Sequence, residues 1–328
     1  MNKHIDSNPN GFDTPLLIIA WRRPDTLLQV INSIRSVTPS RIFFACDGPN
    51  PTRLGEIERV EATRAVFERE IDWPCTIQRL YAGENQGCRV GVSRAIDWFF
   101  EHVEEGIVLE DDCVPHQDFF PYCANLLKRY RHDKRIWCIS GNNFQNGLWR
   151  GDGSYYFSRY NHCWGWATWR RCWENYDQNL SQWPNILDFD YLMTIFEDPI
   201  ERHYWRRIWQ RLMTKNEPDS WAYRWTLTCL ANGGLTILPN RNLVRNIGFG
   251  EDATHTTCEV VNTDINMGIH AIEHPSLLLR DAVADRYTFD NVFGGKWQRF
   301  PLSLIWLFKR VLSKASLGIS NLSSYFKQ

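Results

Sequence analysis

The chain has 328 residues, 43% of them hydrophobic, 16 tryptophans, and a formal net charge of -1 from 37 Lys and Arg against 38 Asp and Glu. The length and hydrophobic content are ordinary for a soluble globular protein of one large or two modest domains with a sizeable core, whereas the tryptophan count, crowded between Trp137 and Trp225, is unusual. So balanced a charge excludes a global field that would attract nucleic acid or an anionic membrane. No nucleic-acid partner is expected, and any membrane contact needs a local patch.

None of the 10 cysteines forms a Cys-x-x-Cys pair, and Cys46 and Cys138 sit inside apolar runs where a thiol acts as a small hydrophobe, so reduced thiols are expected. The opening MNKHIDSNPNGFDTP is polar and turn-rich, without an apolar segment of signal-peptide length. No run approaches the roughly 20 apolar residues that span a bilayer. A cytoplasmic location follows as an expectation, and there is no internal repeat.

In chain order, Pro15 to Ala20 (PLLIIA) predicts a buried strand, and Trp21, Arg22, Arg23 and Pro24 a basic turn into a helix with Leu27, Leu28, Ile31 and Ile34 on one face. Arg41 to Cys46 (RIFFAC) predicts a second strand ending in the turn Asp47-Gly48-Pro49, where Asp47 is either a plain turn residue or part of a site. A polar helix from about Leu54 to Arg69, a strand from Cys75 to Tyr81 and a loop from Ala82 to Gly87 follow. The next helix has the cleanest pattern, with Val92, Ala95, Ile96, Phe99, Phe100 and Val103 at helical spacing.

That helix leads into Gly106 to Pro115, GIVLEDDCVP. Ile107, Val108 and Leu109 suit a buried parallel strand, whereas Glu110, Asp111 and Asp112 cannot stay in a core unpaired and must emerge at its carboxyl end. Crowded carboxylates repel, and a hard divalent cation that also takes diphosphate oxygens relieves this; the plain alternative is a solvated acidic turn. A further helix carrying Phe119, Phe120, Cys123, Leu126, Leu127 and Tyr130 and a strand over Arg135 to Ser140 complete the first half. Strands alternating with helices predict an α/β fold: a mostly parallel, doubly wound, Rossmann-like sheet flanked by helices, with ligands at the carboxyl ends of its strands.

From about Asn142 the texture turns to Gly, Asn and aromatics. This suggests a nucleotide-binding half over 1–141, an acceptor-side half over 142–290 laid on the strand rim, and a tail over 291–328. Trp166, Trp169, Trp173 and Tyr176 recur as one face of a helix, while Trp164 before Gly165 offers a stacking face. A Trp- and Arg-rich helical region runs roughly from Phe189 to Met213. Asp219-Ser220-Trp221 opens another apolar helix, Leu235 to Leu238 is a short strand, and Asn246 to Thr256 is a glycine-broken polar loop.

Taken together, PLLIIAWRRP, ACDGP, ENQGCRVGVSRAIDWFF leading into GIVLEDDCVPHQDFF, HCWGWATWRR and NLVRNIGFGEDATHT resemble the GT-A glycosyltransferases, specifically family 2-like enzymes similar to the N-acetylglucosaminyltransferase I family. The resemblance covers roughly residues 14 to 275. It implies a GT-A fold and a metal-dependent, inverting hexosyl- or N-acetylhexosaminyltransferase of cell-surface polysaccharide synthesis, taking a nucleoside diphosphate sugar, UDP-sugar favoured, and a glycan or lipid-linked acceptor. It implies that Asp112, last acid of a DXD-type motif, ligates Mn²⁺ or Mg²⁺. Glu110 and Asp111 would hold ribose hydroxyls or metal-bound water, Asp47 the base, and Arg22 the base or phosphates. His255 is a candidate ligand of metal or phosphate, and Trp164, Trp166 and Trp221 are candidates for stacking acceptor sugars. Inversion needs a base for the acceptor hydroxyl. Asp219 is the candidate, with a helix N-cap as its other role. The related pattern Trp-Asp-Asp-Trp stands here as Asp219-Ser220-Trp221-Ala222. If the acid belongs after the tryptophan, Ala222 occupies its place, and Glu251 or Asp252 takes the role, or the chain binds glycans or sugar nucleotides without catalysis.

After Asp290 there is no acid, only Lys296, Arg299, Lys309, Arg310, Lys314 and Lys327 among Leu302, Ile305, Trp306, Phe308, Val311 and Leu312. A basic amphipathic segment of this kind suits the inner face of a membrane, or else a helix docked on its own domain.

Overall fold

The structure is a computed structural model and describes residues 12–249 and 271–300. Its first half follows the predicted alternation: β1 (Leu16–Ala20), α1 (Pro24–Ile34), β2 (Arg41–Cys46), α2 (Glu56–Glu70), β3 (Thr76–Tyr81), α3 (Gly87–His102) and β4 (Glu105–Glu110). A short β5 (Cys113–Pro115), α4 (Phe119–Tyr130) and β6 (Ile136–Ser140) come next. β1 and β6 are buried at every residue, as continuous apolar strands covered on both faces must be.

The second half contributes β7 (Tyr155–Ser158), β8 (Trp166–Trp169), the short helices α5 (Arg170–Trp173), α6 (Trp183–Asp188) and α7 (Leu192–Ile195), then α8 (Pro199–Lys215), α9 (Ala222–Ala231), β9 (Leu235–Pro239), β10 (Val244–Asn246) and α10 (Ala282–Val292). Eight strands form one sheet in the order β3-β2-β1-β4-β8-β6-β9-β7, and β10 pairs with β5 in a separate two-stranded ribbon. β1, β2, β3, β4, β6 and β9 run one way, and β7 and β8 run against them. The result is an α/β fold with a large, mostly parallel mixed sheet flanked by helices, Rossmann-like in its first half.

Two expectations are corrected. The aromatic helix face from Trp166 to Tyr176 is split: Trp166–Trp169 is the strand β8, inserted between β4 and β6, and only Arg170–Trp173 is helical. Backbone pairing with two neighbours outweighed a spacing that fits a helix, and indole rings suit a fully buried strand equally well. The second half is also more than a layer over the rim, because β7, β8 and β9 are strands of the main sheet. Likewise the region from Phe189 to Met213 holds α7 and α8, separated by the stretch around Asp198, whose carboxylate caps α8 by accepting from the Ile200 N–H at 2.9 Å.

The acidic strand is held in place by close contact with α3. A Cβ added to Gly106 would lie 2.3 Å from Phe99 Cζ and 2.9 Å from the Pro15 carbonyl oxygen, so the helix and the β1 approach pack against bare backbone here. Gly106→Ala is therefore expected to cost about 1–3 kcal/mol through overpacking, read as a lower denaturant midpoint at unchanged slope.

Candidate functional site

β1 lies between β2 and β4, with Ala20 level with Cys46 and Ile19 level with Glu110. The chain therefore leaves the sheet at Trp21, Asp47 and Asp111 side by side, at the carboxyl ends where open α/β sheets bind ligands. A cleft of about 820 Å³ opens over this rim and is lined by Arg22, Arg23, Asp47 and the triplet Glu110, Asp111 and Asp112. The second half adds Trp164, Asp219, Trp221, Asn246 and Gly248 to its lining. The size suits a nucleotide-scale ligand.

Each acid of the triplet has a different setting. Asp111 is buried and accepts from the Trp21 N–H at 3.0 Å. Asp112 accepts from Arg23 Nη1 at 2.9 Å through Oδ2 and from Asn246 Nδ2 at 3.2 Å through Oδ1. β10 brings Asn246 there by pairing antiparallel with β5, which places Asn246 level with Cys113, and the Ile247 N–H then donates to the Asp112 carbonyl at 2.9 Å. Gly248 is needed at the crossing, since a Cβ on it would sit 1.9 Å from Asp112 Oδ2. Burial, followed by the Asp112 charge, pushes the Glu110 and Asp111 carboxyls up from the usual carboxylate range, and Arg23 opposes the shift.

Asp47 has a second employment. Its carboxylate accepts from the Gly48 N–H at 2.8 Å, the Gln86 N–H at 3.0 Å and Asn85 Nδ2 at 3.1 Å, tying the loop before α3 to the end of β2. Burial raises its carboxyl, and the Gln86 and Gly48 N–H donors hold it back. Arg22 reaches Glu56 Oε2 at 3.4 Å and lies 4.4 Å over the Trp21 ring, whose Nε1 donates to the Gly48 carbonyl at 3.0 Å.

From the second half, Asp219 is half-exposed over the start of α3. Its Oδ2 receives the Arg89 N–H at 3.5 Å, and its Oδ1 is 3.5 Å from Arg89 Nε. It does not cap α9, which starts at Ala222 behind Trp221 with no side-chain cap. Trp164 is partly exposed and meets Phe144 and Phe249 edge-on at 5.0 and 5.8 Å. Trp221 is nearly buried but lines the cleft, stacked on Trp166 at 5.5 Å. Trp166 itself is fully buried and off the cleft, so it is no stacking face for an acceptor: β8 turns its indole into the aromatic core beside Trp173 and Trp225.

The structure thus gathers Arg22, Asp47, Glu110, Asp111, Asp112, Asp219, Trp164 and Trp221 in one cleft and leaves Trp166 out. His255, Glu251 and Asp252 lie outside the described residues, as do 301–328 of the tail. Among the described residues no group of three or more His, Cys, Asp or Glu is arranged to hold a metal ion, and no helix is long and apolar enough to cross a membrane. Sequence reasoning missed Arg23, Asn246 and Gly248. Arg23 and Arg22 are equivalent in WRRP, and the pairing of β10 with β5 has no local signal.

No protein-family profile and no curated protein matches the sequence. Solved structures with partial similarity include HddC from Yersinia pseudotuberculosis, at 10% identity and TM-score 0.32 over 52% of this chain and 83% of that one. Another is 4-diphosphocytidyl-2C-methyl-D-erythritol synthase from Anaerococcus prevotii DSM 20548, at 10% identity and TM-score 0.32 over 53% and 84%. At that score neither bears on the chemistry of the cleft.

The raised carboxyls of Glu110 and Asp111 set a pH dependence. A folded-state value above the unfolded one favours the folded state below the unfolded value, about pH 4, and that benefit is lost as pH rises through the folded values. The metal-free protein is therefore expected to lose stability as pH rises from about 4 through neutrality, and Asp111→Asn to flatten the loss, read as melting temperature against pH in EDTA.

Proposed function

We propose that the cleft binds a nucleoside diphosphate sugar together with a divalent cation and transfers the sugar, with inversion, to a hydroxyl of a glycan or lipid-linked acceptor. A UDP-sugar is the favoured donor, from the family resemblance. The observation that supports this reading is the meeting of an acidic triplet, two arginines and Asp47 at the rim of β1, β2 and β4 with an acid and two indoles of the second half in one cleft.

The residues fit a hard cation such as Mn²⁺ or Mg²⁺. They offer oxygen atoms, and burial followed by repulsion from Asp112 raises the proton affinity of Glu110 and Asp111. They form no closed cage, which agrees with an ion that takes one or two carboxylates and completes its shell with phosphate oxygens and water. Asp112 would hold it, and when bound it would stabilise the charge growing on the diphosphate leaving group. The chain's own residues do the rest. Glu110 and Asp111 accept hydrogen bonds from ribose hydroxyls or the cation's water. Asp47 keeps the 85–86 loop against the base side. Trp164 supplies an apolar face for a sugar ring, and Asp219 takes the acceptor proton.

Nucleoside diphosphate release from a panel of sugar nucleotides with Mn²⁺ tests the reading. Asp112→Asn is expected to lower release by about 10²-fold or more. Asp219→Asn is expected to lower turnover by about 10²–10⁴-fold while leaving nucleotide affinity in place. Stabilisation by a sugar nucleotide without any release would mark a binding protein instead, and no stabilisation by any of them would end the proposal.

A further inference from the structure

The carboxylate assigned to the cation already carries a positive partner from within the chain. Trp21-Arg22-Arg23-Pro24 leaves β1 and enters α1 with Pro24 in its first turn, and the two arginines diverge: Arg22 goes to Glu56, Arg23 to Asp112. The Arg23 and Asp112 side chains keep only 13% and 17% of their exposure, so solvent screens the pair weakly. Both Asp112 oxygens receive N–H donors, Arg23 Nη1 on one and Asn246 Nδ2 on the other.

A guanidinium and a divalent cation on one carboxylate oxygen repel each other across a few ångströms of poorly screened space. One must move. Gly248 closes one side of the pair, because a Cβ there would meet Arg23 Nη1 at 2.9 Å as well as Asp112 Oδ2. The cleft, which Arg23 lines, is the open side. An arginine turned into that space meets the place where a diphosphate would lie, and its planar fork suits phosphate oxygens.

We propose that Arg23 is the resident countercharge of Asp112, that it yields this carboxylate when a divalent cation binds, and that it then pairs with the diphosphate. This inference rests on the proposed function and adds a regulation to it. The cation alone binds weakly because it must displace Arg23, and the cation with a nucleoside diphosphate binds strongly because the displaced guanidinium gains a new anion. Metal and nucleotide then enter as a coupled pair, and Arg23 is a positioning residue for both.

The test compares wild type, Arg23→Gln and Arg23→Lys. Mn²⁺ binding without nucleotide is read from the electron paramagnetic resonance signal of free Mn²⁺, and UDP binding by calorimetry with Mn²⁺ and in EDTA. Arg23→Gln is expected to bind Mn²⁺ alone about tenfold more tightly and UDP with Mn²⁺ about tenfold more weakly, an inverse pattern that loss of packing does not produce. Arg23→Lys keeps the charge and loses the fork, so it shows the same signs at smaller size and serves if the Gln variant does not fold. Unchanged or weaker Mn²⁺ binding by Arg23→Gln, with wild type binding both ligands, overturns the role of Arg23 alone. Wild type that binds neither Mn²⁺ nor UDP overturns the proposed function and this inference together.

Discussion

Three carboxylates in consecutive positions at the end of a buried strand are the constraint around which the cleft is built. Mutual repulsion and lost hydration both oppose their ionisation, and the chain answers with a different device for each part of the problem. A backbone N–H from the β1 exit meets Asp111, a guanidinium from the same turn meets Asp112, and an amide from β10 meets the other Asp112 oxygen. All three donors come from segments distant in sequence, so the acidic tip is stable only once the sheet and the ribbon have formed.

The topology supplies those segments. With β1 central among β2, β1 and β4, three strand exits converge, and the helices that follow β1 and β3 begin beside them. The second half then folds back to complete the cleft lining. β8 enters the sheet next to β4 and carries Trp166 into the core, so that Trp164, two residues earlier, is left at the cleft edge. The stack of Trp221 on Trp166 fixes the start of α9, and with it the position of Asp219 in the cleft lining.

A second apolar core, built on Trp183, Trp205, Trp209 and Phe289, packs α6, α8 and α10 together away from the cleft. Its margin contains a buried ionic network: Arg159 Nη2 to Glu201 Oε2 at 2.7 Å, Arg280 Nε to Asp285 Oδ2 at 2.7 Å, and Ser158 Oγ donating to Asp285 Oδ1 at 2.5 Å. Such pairs contribute little net stability when intact, but losing one partner strands a charge. The network joins β7, α8 and α10, and so fixes α10 to the edge of the main sheet.

Local chemistry was enough to place β1, β2, β3 and β4, their helices and the emergence of the acids at a strand end, because apolar runs and helical spacing report burial directly. It also marked most of the cleft, through residues too polar for the strands they follow. It misjudged Trp166 to Trp169, where indoles at helical spacing suit a buried strand just as well and only the neighbours β4 and β6 decide. It was silent on Arg23 and Asn246, since nothing in WRRP says which arginine turns to Asp112, and nothing in VRN says that this segment pairs with Cys113 to Pro115. Those choices depend on contacts across about 90 and 130 residues, and such contacts exist only after the two halves of the chain have come together.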